Sequence, residues 1–126
     1  MAVLWDILDA VRKCLIESLD FRAVIISDDD VPASLMPAAR IKFVSATSNS
    51  SAEVPIIFDI VVEVEILMGV ESEAESIADA VQSVSEILVK CEYPAGVRIC
   101  SAPTVKNVAR NSATIKVKFR WAERSE

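Results

Sequence analysis

Between Ile56 and Met68 every even-numbered residue is apolar, from Ile56, Phe58 and Ile60 through Val62, Val64, Ile66 and Met68, while Asp59, Glu63 and Glu65 occupy odd positions. A period of two is the pattern of a strand with one buried face and one acidic, solvated face. Thirteen residues at ~3.3 Å each span ~43 Å, whereas an ordinary strand has ~5–6 residues. The strand is therefore expected to reach past its own core, which points to assembly into something larger.

The rest of the chain supplies what such a strand packs against. In Ala2 to Leu19, the residues Leu4, Ile7, Leu8, Val11, Leu15 and Leu19 form one stripe opposite Asp6, Asp9, Arg12, Lys13 and Glu17, as in an amphipathic helix docked on a core. A short strand is expected around Arg22 to Ser27, ended by Asp28-Asp29-Asp30-Val31-Pro32. That acidic run lacks the spacing, the glycine and the distal glutamate of a calcium loop and reads as a solvated turn. A second strand, Arg40 to Ser45, sends Ile41 and Phe43 one way and Arg40 and Lys42 the other. The polar stretch Ala46 to Glu53, bounded by Pro55, reads as a loop.

After Gly69, Ser72 and Glu75 match a capping box. The helix they open is expected to run to about Cys91, with Ile77, Val81, Val84, Leu88 and Cys91 inward and Tyr93-Pro94-Ala95-Gly96 as its stop. Val97 to Val108 is a weaker strand whose Pro103 suits an edge or a bulge. Asn107 to Asn111 makes a turn. In the final strand, Ser112 to Ala122, Ala113, Ile115, Val117, Phe119 and Trp121 alternate with Thr114, Lys116, Lys118 and Arg120. Trp121 is in phase with Phe119 and belongs to the core; Trp5 is either a core edge or an interface anchor. The order α-β-β-β-α-β-β implies one α+β domain over residues 1–126, with a mainly antiparallel sheet of four to five strands and both helices on one face.

Composition narrows the function. A chain of 126 residues holds one core. An apolar fraction of 52% and a mean hydropathy of +0.39 leave apolar surface for a partner, so an oligomer is expected. A net charge of −6 disfavours direct nucleic-acid recognition. With no histidine, the commonest general base and metal ligand is missing. Cys14, Cys91 and Cys100 are widely spaced without a C-x-x-C pair, and are expected to be buried thiols in a reduced compartment. The N-terminus has no basic leader pattern, no apolar run approaches bilayer length, and the sequon at Asn49-Ser50-Ser51 is read as coincidence.

Chemistry has little foothold. Glu63 and Glu65 lie about 6.6 Å apart by strand rise, near the spacing of inverting glycosidases, but no cleft or sugar platform accompanies them. There is no G-x-S-x-G, and Gly69 and Gly96 are too few for a phosphate loop. No catalytic, cofactor-binding or metal-binding residue is assigned. The candidate interface consists of Asp59, Glu63 and Glu65 on one strand and Lys116, Lys118 and Arg120 on another. Either these are cross-strand pairs within one sheet, or the acidic face of one subunit meets the basic face of the next in a head-to-tail contact.

The series as a whole resembles the tail terminator, or tail-completion, proteins of long-tailed bacteriophages, including the minor tail protein U type. The matching features are the N-terminal helix, a short strand followed by Asp28-Asp29-Asp30, the Pro37-Ala38 entry into Ile41-Lys42-Phe43-Val44, a polar loop, the long strand, a helix opening at Ser72 to Glu75, and two terminal strands. The resemblance implies a non-enzymatic virion protein of a phage or prophage, assembled in the bacterial cytoplasm. It would form a homo-oligomeric ring, typically a hexamer, that caps the tail tube, ends its polymerisation and joins the head. Its partners would be itself, the tail tube protein and a head-completion or connector protein, with no membrane. The alternatives are a head-to-tail connector or neck protein, and a small ligand-binding regulatory domain that dimerises through its sheet.

Overall fold

The computed structural model describes residues 2–48, 57–69 and 74–122. The N-terminal helix α1 (Ala2–Ser18) is followed by β1 (Ala23–Ile26), a 3-10 turn at Ala33–Leu35, β2 (Ala38–Ser48) and β3 (Ile57–Leu67). The second helix, α2 (Ala74–Lys90), precedes β4 (Val97–Ile99), β5 (Thr104–Lys106) and β6 (Ser112–Ala122). The class and the order of elements are those the sequence implies, and both helices contribute to one core on one side of the sheet.

The strands run β1-β2-β3-β6-β4, with β5 also on β6. All pairs are antiparallel except β1 with β2. Six strands form where four to five were expected, because the segment around Pro103 is two short strands separated by the proline. Pro has no N–H to give a ladder, so pairing along β6 is interrupted between Ile99 and Thr104.

The long strand does not overshoot its core. It is the central strand, paired along its whole length with β6 and, around one irregularity, with β2. Ile60, Val62, Val64 and Ile66 are fully buried against the helices, as alternation requires. Across from them Ala113, Ile115, Val117 and Phe119 line the same core from β6, and Ile7, Leu8, Val11, Leu15, Ile77, Val84 and Leu88 close it from the helices.

Strand β2 is longer than the sequence suggests. Ala46, Thr47 and Ser48 belong to it rather than to a loop. Val44 is an extra residue between Phe43, opposite Val62, and Ser45, opposite Val61. This bulge reverses the parity of the strand, so the positions on the helix side of the sheet pass from Ile41 and Phe43 to Ala46 and Ser48, although of these only Ile41 is buried. A single alternation carried through from Arg40 therefore fails after Val44. The expected capping serine Ser72, its neighbours Glu71 and Glu73, and most of the expected loop lie outside the described residues.

The cysteines correct an expectation. Cys14 and Cys91 form a disulfide across 77 residues of sequence, joining α1 to the end of α2, with Cα atoms 6.1 Å apart. Cys14 lies on α1 and Cys91 one residue past the end of α2, where the two approach within bridging distance. Cys100 is free and exposed rather than buried. Past α2, Gly96 has φ +83, and a Cβ there would lie 2.9 Å from the Ala122 carbonyl oxygen, so glycine allows the chain to turn tightly onto β6.

Candidate interaction surface

The sheet has a second face, turned away from the helices, and all six candidate residues lie on it. Registry places Asp59 opposite Arg120, Glu63 opposite Lys116, and Val61 opposite Lys118. The acidic and basic rows are thus neighbours within one sheet. Arg120 donates to both Asp59 oxygens, from Nε at 2.8 Å and from Nη2 at 3.3 Å, and Lys118 Nζ lies 3.8 Å from Asp59. The Arg120 hydrogen bond, reinforced by the Arg120 and Lys118 charges, holds the Asp59 carboxyl below its usual value against a smaller opposing effect of burial.

Glu63 and Glu65 find cations from elements that sequence reasoning did not place beside them. Lys106, on β5, forms an ion pair with Glu63, and Arg40, on β2, forms one with Glu65. Arg40 is only 8% exposed and also donates to the Asp29 carbonyl oxygen, while Asp30 stands 3.9 Å away. The acidic run at Asp28 to Asp30 therefore helps to hold a buried guanidinium. With both carboxylates neutralised by cations, Glu63 and Glu65 do not form a free acid–base pair.

The pairing leaves a remainder. Lys42 and Lys116 stand directly opposite Glu63 from its two sides, and Lys106 takes that carboxylate. Lys42, Lys116 and Arg98, which lies on the same face opposite Arg120, have no ion-pair partner among the described residues. Three lysines thus surround one carboxylate on an open sheet face of an acidic protein. The alternation of Arg40 and Lys42 with Ile41 and Phe43 was the available signal for part of this. What the sequence withheld was the strand order that puts β2 and β5 beside the acidic and basic rows.

The opposite surface has the other sign. On α1 and α2 the exposed charged residues are Asp6, Asp9, Glu17, Glu75, Asp79 and Glu86 against Arg12, Lys13 and Lys90. Trp5 is 61% exposed on α1, which removes the core-edge reading, and Ile16 and Val89 are exposed on the same layer. Trp121 is half-buried and stacks on Phe58 with ring centroids 5.8 Å apart.

An open groove of about 680 Å³ runs along the disulfide between the helices and is lined by Asp6, Asp9, Lys13, Glu17, Lys90 and Glu92 among others. Among the described residues, Ser18, Lys13 and Lys90 in it are neither hydrogen-bonded nor ion-paired to a carboxylate. The two cysteines there are bonded to each other, and Tyr93 donates its hydroxyl to the Leu88 carbonyl oxygen at 2.5 Å, with burial pushing the phenol pKa up. Among the described residues no three carboxylates or cysteines converge to hold a metal ion, and no helix is long and apolar enough to cross a membrane.

Among the described residues the arrangement is a two-layer α+β fold with one charged sheet face that no helix covers. No protein-family model matches the sequence, and no curated protein does. Among solved structures, a chain of the virion of a native gene transfer agent particle is similar in fold, with a TM-score of 0.52 at 16% identity, covering 96% of each chain. A second solved chain aligns at a TM-score of 0.43 and 14% identity over 94% of this chain and 96% of its own, too loosely to carry an argument.

Proposed function

We propose that this chain is a structural protein of a phage-like virion and, within that class, a tail terminator. It forms a homo-oligomeric ring, six-fold by the resemblance, on the finished end of the tail tube. There it stops tube growth and offers a docking surface to a head-completion or connector protein. The observation that carries the reading is the similarity in fold to one chain of a gene transfer agent virion over 96% of both chains. The order of elements and the uncovered charged face support it. The role is non-enzymatic and its place is the virion tail, after assembly in the bacterial host.

The test is direct. Native mass spectrometry and negative-stain images of the purified protein are expected to show a six-fold ring. Added to polymerising tail tube protein, it is expected to sit at one tube end and limit tube length. Unchanged tube lengths with no end-bound density would overturn the reading. Rings that bind a head portal in preference to tubes would make it a neck protein. A stable dimer whose melting temperature rises with a metabolite would make it a regulatory domain.

A further inference from the structure

We infer that the lysine cluster around Glu63 is the docking surface for the exposed side of α1 of a second copy of this chain, in a head-to-tail contact. The inference rests on the oligomeric reading above and names its surfaces. Glu63 has Lys42 and Lys116 across from it on the two flanking strands and Lys106 in contact with it. Neighbouring positions on paired strands put Cβ atoms about 5 Å apart, so three ammonium groups share the neighbourhood of one carboxylate. One carboxylate cannot balance three lysines, and Lys42 and Lys116 find no other acid among the described residues. An acidic group arriving from outside would relieve that repulsion.

The same molecule carries the complement. The exposed side of α1 presents Asp6 and Asp9 near Trp5 in its first half, followed by Arg12 and Lys13 and then by Ile16 and Glu17, so its acidic end is the one that carries the tryptophan. A large exposed aromatic flanked by carboxylates is the composition of an interface anchor with a polar rim. The lysines and the α1 carboxylates lie on opposite layers of the domain, so one copy cannot satisfy itself. A contact between unlike surfaces is heterologous, and repeated it closes into a ring or runs on as a filament. Asp59, Glu65, Arg40, Lys118 and Arg120 act within the subunit, where their pairs fix the shape of the face.

The experiment uses two variants of the full chain, Lys42→Glu with Lys116→Glu, and Asp6→Lys with Asp9→Lys, followed by sedimentation velocity at low salt. Each variant alone is expected to associate about a hundredfold more weakly than the unaltered protein, the scale of several like charges facing one another across an interface. Mixed in equal amounts, they are expected to reassemble, because each reversed face meets its reversed complement in alternate positions. Should the lysine reversal unfold the protein, as judged by circular dichroism, Lys42→Gln with Lys116→Gln tests the same surface without adding negative charge next to Glu63. Unaltered association of a folded lysine variant, or no recovery on mixing, would overturn the surface and leave the ring reading standing. Unaltered protein that stays monomeric at every concentration and salt, with or without tubes, would overturn both. Binding of a duplex oligonucleotide by the unaltered protein and not by the lysine variant would give the face to nucleic acid and overturn the choice of a second copy.

Discussion

Arg40 and Glu65 illustrate how unevenly the charges of the outer face contribute. Arg40 is nearly buried, and its Nε has no hydrogen-bond partner within the described structure, so the guanidinium depends on Glu65, the Asp29 carbonyl and the distant Asp30 carboxylate. Removing one partner of a buried charge costs more than removing the charge itself. Glu65→Ala is therefore expected to lower the unfolding free energy by about 2 kcal/mol, whereas Arg40→Met is expected to be close to neutral, as read from urea midpoints. The pair at Asp59 is more exposed and is better tested by pH. Arg120 keeps the folded-state carboxyl below its usual 3.8. Stability from this group is then complete above the unfolded-state value and is lost as pH falls through the folded one. Asp59→Asn is expected to be less stable than the unaltered protein at pH 7, with the gap closing as urea midpoints are followed down toward pH 2. At this scale much was legible. Alternation alone assigned Ile60, Val62, Val64, Ile66 and their β6 counterparts to the core and the six candidate charges to the other face. The partners Arg40 and Lys106 were not legible, because period-two patterning gives the face of a residue and says nothing about which strand lies beside it.

The elements themselves were read with the same asymmetry. The helical stripes of α1 and α2 and the alternation of β3 and β6 stand out because each repeats its period many times. Two features escaped for the lack of any periodic signal. One is the Val44 bulge, which continues β2 into a polar stretch that composition assigns to a loop. The other is the bridge between Cys14 and Cys91, which depends on two helices lying side by side and leaves no mark in local spacing. That bridge closes a loop of 77 residues, and restricting the unfolded chain in this way is typically worth about 2–4 kcal/mol. The Cys14→Ser, Cys91→Ser protein is expected to lose that much unfolding free energy in urea, and the unaltered protein to approach it when reduced. A thiol titration checks the pairing first. The native, unreduced protein should show one reactive thiol, at Cys100, and all three after reduction and unfolding.

The whole molecule is polarised, and that polarity joins the fold to the proposed assembly. One layer presents mostly carboxylates and a tryptophan; the other presents cations that its own carboxylates do not balance. Neither fact is visible in a net charge of −6, which averages the two surfaces. The sequence pointed toward assembly for a reason the fold removes, since the long strand is absorbed as the centre of its own sheet, and the surviving reason is the unbalanced face. If copies meet there, association between exposed charges should depend steeply on ionic strength. The Debye length shrinks from ~30 Å at 0.01 M to ~3 Å at 1 M, while the core that holds each subunit together is apolar and little screened. Raising salt over that range is expected to dissociate the oligomer by at least about tenfold in dissociation constant, measured by sedimentation, with the far-ultraviolet circular dichroism unchanged. An oligomer that tightens with salt would instead point to apolar contacts centred on Trp5 and its neighbours, because salt weakens charge attraction and strengthens burial. The sign of the salt dependence therefore distinguishes electrostatic from apolar control of the contact.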